Sequence, residues 1–202
     1  FTGSRAVTYS GMGSDRLIQA GFFARYDSRD WPVYPARGVV LMGAVDRERV
    51  LSEKGFYRLR LRTQIYRRLV GTSILALETM GTYSFGSVPV YRRLHIGGSR
   101  TIRGITAGSV SGENNLVVSA EYRIPVNYDR SYLRGFHGGW AVVLFFDAGK
   151  AWFSKTGFIS ADFYYAGGAG IHLIWNKWVL RGEAGCQNLG DFFVNLGTSV
   201  RF

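Results

Sequence analysis

Asn195-Leu196-Gly197-Thr198-Ser199-Val200-Arg201-Phe202 closes the chain, and its alternation decides the fold. Phe192, Val194, Leu196, Thr198, Val200 and Phe202 fall on one face of an extended segment, and Phe193, Asn195, Gly197, Ser199 and Arg201 on the other. A period of two marks a strand with one apolar face. The competing reading is the edge strand of a soluble sheet, but apolar edges of that kind are usually blunted and this one is not.

The same alternation recurs upstream. It predicts strands over Arg16–Tyr26, Val39–Val45, Tyr57–Tyr66, Ser73–Tyr83, Asn115–Ile124, Trp140–Trp152, Phe163–Trp175, Val179–Gln187 and Phe192–Phe202, with Arg5–Ser10 as the tail of a tenth. The clearest case sets Tyr57, Leu59, Leu61, Thr63 and Ile65 against Arg58, Arg60, Arg62, Gln64 and Tyr66. No segment reads as an amphipathic helix. A serial antiparallel meander with one apolar face is what the wall of a transmembrane barrel looks like in sequence. Trp31, Trp140, Trp152, Trp175 and Trp178 fall at predicted strand ends, as interfacial aromatic girdles would have them.

Composition agrees. Aromatics make up 15%, and glycine (27) far outnumbers proline (4), which favours strands and tight turns over helices. No run reaches the roughly 18 apolar residues of a spanning helix, and the mean hydropathy of −0.01 is that of a wall whose two faces cancel. The net charge of +11 would suggest nucleic acid. The arginines, however, alternate with apolar residues inside strands rather than clustering, so nucleic acid is not the expected partner. Cys186 is the single cysteine and allows no disulfide within the chain. His95, His137 and His172 are scattered, with no metal-ligand spacing, so neither a metal nor a cofactor is expected. Ser99 and His95 form the single local pair from which a hydrolase could be built, and no catalytic residue is assigned. The face Arg58, Arg60, Arg62 suits either an anionic ligand such as lipopolysaccharide or a polar lumen wall facing water and loop acids. Arg181 and Glu183 also read as lumen residues. The numbering begins at Phe1 in mid-pattern, as in a processed or truncated chain.

The terminal strand, ending on an aromatic, resembles the closing strand of bacterial outer-membrane barrels, where Asn195, Gly197, Val200 and Phe202 would form part of the assembly signal. A more specific resemblance lies in the Gly-rich segment of about 86–113, where Gly97, Gly98, Ser99, Ile102, Arg103 and Gly104 are similar to the loop motif Gly-Gly-Ser…Arg-Gly-aromatic. That motif belongs to the outer-membrane assembly and translocation barrels that include BamA, TamA and the two-partner-secretion transporters. Ile105 stands where the motif has Phe or Tyr. Ser119-Ala120-Glu121-Tyr122-Arg123 and Phe145-Phe146-Asp147-Ala148-Gly149 resemble two later strands of that family, and Tyr26–Asp30 with Pro35–Gly38 resembles one of its hairpins. The resemblance implies that the loop enters the lumen, with Arg103 bonded to Glu121 and Asp147. Period-two counting agrees, placing Glu121 on the face of Ser119 and Arg123, and Asp147 on the face of Gly149. A carboxylate in so apolar a strand needs a partner, and a forked guanidinium is a suitable one.

The expected fold is therefore an all-β antiparallel transmembrane barrel. The family's barrels usually have sixteen strands, so nine or ten imply either the C-terminal part of a larger wall or completion by dimerisation. The resemblance implies a bacterial outer-membrane protein that inserts or translocates client polypeptides without enzymatic chemistry. Its partners would be the bilayer, lipopolysaccharide, β-barrel or secreted clients, and assembly partners or a second copy. A passive pore or surface-display platform is the other reading.

Overall fold

The computed structural model describes residues 5–8, 16–50, 55–129 and 138–198. The strands are β1 (Arg5–Thr8), β2 (Arg16–Asp27), β3 (Gly38–Val50), β4 (Phe56–Arg68), β5 (Ile74–Gly86), β6 (Leu94–Ile96), β7 (Val110–Gly112), β8 (Asn114–Asp129), β9 (Gly138–Trp152), β10 (Tyr164–Trp175), β11 (Trp178–Gln187) and β12 (Phe192–Thr198). Ten of them form one sheet in the order β1-β2-β3-β4-β5-β8-β9-β10-β11-β12, and β6 and β7 pair separately. Every pairing is antiparallel, so the sheet is a meander with β1 and β12 at its edges among the described residues. No helix among the described residues is long and apolar enough to cross a membrane, and the wall is built of strands alone.

Alternation sets the two faces. On β4, Phe56, Arg58, Gln64 and Tyr66 are buried while Tyr57, Leu61 and Ile65 are exposed. On β8, Val117, Ser119, Glu121 and Arg123 are buried, and Val118, Tyr122 and Ile124 are exposed. The exposed face carries an apolar band through Leu77, Leu144, Ile171, Leu173 and Leu196. Aromatics flank it: Tyr57, Tyr83, Phe85 and Phe192 toward one end, Trp140, Trp175 and Trp178 toward the other. This is the outer surface a bilayer requires. Trp31 departs from the expected girdle. It lies in the β2–β3 connection and packs, partly buried, against the cluster that includes Tyr34 and Ala36.

Strand ends shift by a few residues from the sequence reading, most at β3 and β8, which run on to Val50 and Asp129. Val200 and Phe202, assigned to the closing signal, lie outside the described residues. The Gly-rich connection after β5 folds over the inner face. It opens with a 3-10 turn at Val90–Arg92 and forms the β6–β7 hairpin, which period-two counting does not detect. Ile96, Ile102 and Ile105 pack there on Val117, Ala151 and Ala166. Burying these apolar groups seats the loop, and the polar groups at its tip then have to be satisfied inside the protein.

The inward arginines of β4 are paired with acids of neighbouring strands, not of the loop. Arg58 bonds Glu48, Arg60 bonds Asp46 and Arg62 bonds Glu78.

Candidate functional site

The loop tip is a tight turn made possible by three glycines. Gly97, Gly98 and Gly104 all have positive φ (116°, 85° and 82°), a region costly for other residues. Gly98 N–H donates to the Ile105 carbonyl (2.7 Å), and Thr101 Oγ1 both accepts from Gly97 N–H (2.7 Å) and donates to the Gly97 carbonyl (2.8 Å). Gly104 also lies against an aromatic ring, where an ideal Cβ would come within 2.3 Å of Phe193 Cδ1. Ile105, in the position where the motif has an aromatic, is buried in the isoleucine cluster. Phe193 of β12 supplies a ring there instead.

The turn directs Arg103 into the sheet, where its side chain is fully buried. Asp147 of β9 takes it side-on: Nε donates to Oδ2 (2.7 Å) and Nη2 to Oδ1 (2.9 Å), and the Arg103 backbone N–H donates to Oδ2 (3.1 Å). Nη1 donates to Glu121 Oε1 of β8 (2.9 Å) and to Glu183 Oε1 of β11 (2.8 Å). The guanidinium carbon lies 3.7 Å from the centroid of the Phe145 ring. Four of the five guanidinium N–H groups thus meet carboxylates, and one face lies on an aromatic. That is the geometry for which arginine, rather than lysine, is suited.

The three carboxylates belong to strands that span four positions of the sheet, and β10 lies between β9 and β11. Asp147 and Glu183 lie two strands apart and are offset in register, since Asp147 pairs with Ala166 and Glu183 with Gly170. The gap is bridged because β10 is bare there. Gly170 is the register partner of Glu183, and an added Cβ would meet Glu183 Cγ at 2.8 Å and the Gly182 carbonyl at 2.5 Å.

Glu121 and Glu183 have further support. Arg123 donates from Nε to Glu121 Oε2 (2.9 Å), and its Nη2 is 2.8 Å from the same oxygen. Glu183 Oε2 accepts from Asn195 Nδ2 of β12 (2.9 Å), His172 Nε2 is 3.3 Å from Oε1, and Arg181 Nη1 is 3.8 Å from Oε1. Three arginines, Arg103, Arg123 and Arg181, thus face three carboxylates, Glu121, Asp147 and Glu183, in the buried cluster.

The base of the loop is held separately. Glu48 accepts from Arg58 Nη1 (3.3 Å) and Arg92 Nε (2.7 Å), and Arg58 Nη2 donates to the Arg92 carbonyl (2.8 Å).

A model of the Omp85 superfamily domain matches residues 3–177. The chain belongs to the Omp85 superfamily. Its fold is also similar to the crystal structure of BamA from Haemophilus ducreyi lacking POTRA domains 1–3, with a TM-score of 0.72 and 15% identity over 93% of this chain and 42% of that one. The chain thus spans less than half the length of that structure. No curated protein matches it. As an Omp85 barrel wall, the protein resides in the bacterial outer membrane.

In this Omp85 wall, Arg103, Glu121 and Asp147 come together in one cluster, with Gly97, Gly98 and Gly104 shaping the turn that delivers Arg103. Asn195 and Gly197 lie on the inner face of β12, and Asn195 also joins the cluster through Glu183. Sequence reading placed Glu183 on the inner face but did not connect it to Arg103. Its signal is indirect: the inward glycines Gly168 and Gly170 on the intervening strand leave room for a side chain to reach across. Among the described residues no group of three or more His, Cys, Asp or Glu is placed to hold a metal ion.

Proposed function

We propose that this chain is the C-terminal part of an Omp85 barrel that inserts β-barrel proteins into the bacterial outer membrane or moves polypeptides across it. The work is mechanical, with no covalent bond made or broken. Local perturbation of the bilayer and pairing of a client strand with the β12 edge, in the manner of β-augmentation, drive it. The observation that carries this reading is the fully buried Arg103 held by Asp147, Glu121 and Glu183. Such a cluster adds little net stability compared with apolar packing, but it specifies one loop position. A passive pore has no reason to carry Arg103, Glu121 and Asp147 together. Membership of the family and the 42% coverage of BamA support a place in a larger wall.

The test reconstitutes the full-length protein in lipid vesicles and follows the folding of a urea-denatured β-barrel client by protease protection. Folding should be at least several times faster than in empty vesicles. Equal rates, together with failure to translocate an unfolded secretory polypeptide, would leave the passive reading.

A further inference from the structure

Two segments reach the inner face from opposite ends of the sheet, and side chains of the wall between them link the two. The first is the loop carrying Arg103. The second is residues 28–37, between β2 and β3. Asp30 ties this second segment into a rigid bracket: its Oδ1 accepts from the N–H groups of Trp31 (3.0 Å), Ala36 (2.9 Å) and Arg37 (3.2 Å), and its own N–H donates to the Arg37 carbonyl (3.1 Å). Asp27 holds Arg29 through Oδ1 (2.9 Å) and Oδ2 (2.7 Å). The bracket carries Tyr34, Pro35 and Ala36 inward, and all three are buried. Tyr34 and Ala36 share a cluster with Ile74, Ala141, Ile174 and Val179.

Tyr34 touches two polar side chains. Its ring centroid lies 4.8 Å from the Arg123 guanidinium carbon, and its hydroxyl is 3.4 Å from His172 Nδ1. Arg123 bonds Glu121, and His172 Nε2 faces Glu183. Both carboxylates bond Arg103. Six side chains therefore close a ring: Arg103, Glu121, Arg123, Tyr34, His172, Glu183. One imidazole tautomer satisfies both its contacts, with Nδ1 accepting from the Tyr34 hydroxyl and Nε2–H donating to Glu183.

We propose that residues 28–37 form a second plug, latched to the Arg103 loop through this ring, with Tyr34 as a positioning residue for the lock. The reason lies in which oxygens are engaged. Arg123 engages the Glu121 oxygen that Arg103 does not, and His172 shares the Glu183 oxygen that Arg103 does. Arg123 and His172, both in contact with Tyr34, thereby help to orient the two carboxylates toward the loop, alongside the hold of Asn195 and Arg181 on Glu183. By linkage, seating either plug favours the other, and a pull on residues 28–37 loosens the loop at the opposite end. The inference rests on Arg103 acting as a lock, and not on insertion activity.

The experiment uses the full-length protein in vesicles, in a cysteine-free background that includes Cys186→Ser. Ile102→Cys, at a position now fully buried in the loop cluster, reports loop release through its reaction rate with a water-soluble maleimide. Tyr34→Ala should raise that rate about tenfold, within the range of ordinary site-to-site coupling. Tyr34→Phe, which keeps the ring over Arg123, should raise it less. Tyr34→Ala combined with Arg103→Ala should label no faster than Arg103→Ala alone. A control cysteine, Phe56→Cys on the inner face of β4, should be unaffected by Tyr34→Ala.

Fast labelling in Arg103→Ala with parental labelling in Tyr34→Ala overturns the latch and leaves the lock standing. Parental labelling in Arg103→Ala overturns the lock, and the latch with it. An equal rise at Phe56→Cys shows general loosening and also overturns the latch. Should Tyr34→Ala fail to assemble, Tyr34→Phe and His172→Gln carry the same comparison, and parental labelling in both overturns it.

Discussion

Replacing Arg103 by methionine keeps much of its volume and removes its charge. The cost follows from what remains. Three buried carboxylates would face two arginines, and Asp147 would lose two side-chain hydrogen bonds and the charge they carried. Leaving a buried charge without its partner costs about 3–5 kcal/mol. At 1.36 kcal/mol per factor of ten, that is on the order of a hundred- to a few-thousand-fold in the seated-to-released equilibrium. Removing the partner as well should rescue the loss. In Arg103→Met with Asp147→Asn, Glu121 keeps Arg123, Glu183 keeps Arg181 and His172, and no carboxylate is left with an excess charge. The double variant should therefore be more stable than Arg103→Met by at least about 1 kcal/mol, since removing both partners of a buried pair is far milder than removing one. Urea unfolding of the full-length protein in lipid vesicles, read from tryptophan fluorescence, measures both. A cost below about 1 kcal/mol for Arg103→Met, or further destabilisation on adding Asp147→Asn, would show that Arg103 does not neutralise a buried carboxylate there.

Three further predictions use other parts of the structure. Gly104→Ala should cost roughly 2–5 kcal/mol, because a left-handed backbone is combined with a Cβ driven into the Phe193 ring, whereas Gly108→Ala, with positive φ but open space, should cost about 1–2 kcal/mol; urea midpoints compare the two. Leu196→Arg, on the outward face of β12, should lower stability by about 2–4 kcal/mol in the same assay if that face meets the hydrocarbon core. Phe202→Asp should reduce the amount of assembled protein in outer-membrane fractions while leaving its synthesis unchanged, and normal levels on an immunoblot would count against the terminal signal.

The wall was legible because alternation alone decides which side chains face inward. The split on β4 between Arg58 and Tyr57, and on β8 between Glu121 and Tyr122, needs no knowledge of neighbours. Arg103, Glu121 and Asp147 were legible through a motif resemblance and a buried-carboxylate argument that pointed to the same pairing. Glu183 was not, because its distance from Arg103 depends on strand register and on the bare glycines of β10, which no local pattern encodes. Tyr34 was hidden for a different reason. A Pro-rich stretch between two strands reads as a turn, and its inward course depends on Asp30 bridging backbone groups six and seven residues away. The β6 and β7 strands, three residues each, are too short for alternation to register. The acids that pair with Arg60 and Arg62 were assigned to the loop, but cross-strand neighbours supply them more cheaply in chain entropy.

If the pinned loop makes this barrel competent, client folding depends on Arg103. Full-length protein carrying Arg103→Ala, with its barrel shown to be folded, is compared in vesicles with the parent and with Arg103→Lys. Arg103→Ala should slow client insertion at least about tenfold, and Arg103→Lys should fall between, since lysine keeps the charge and loses the fork. Insertion at the parental rate by a folded Arg103→Ala barrel would contradict that dependence.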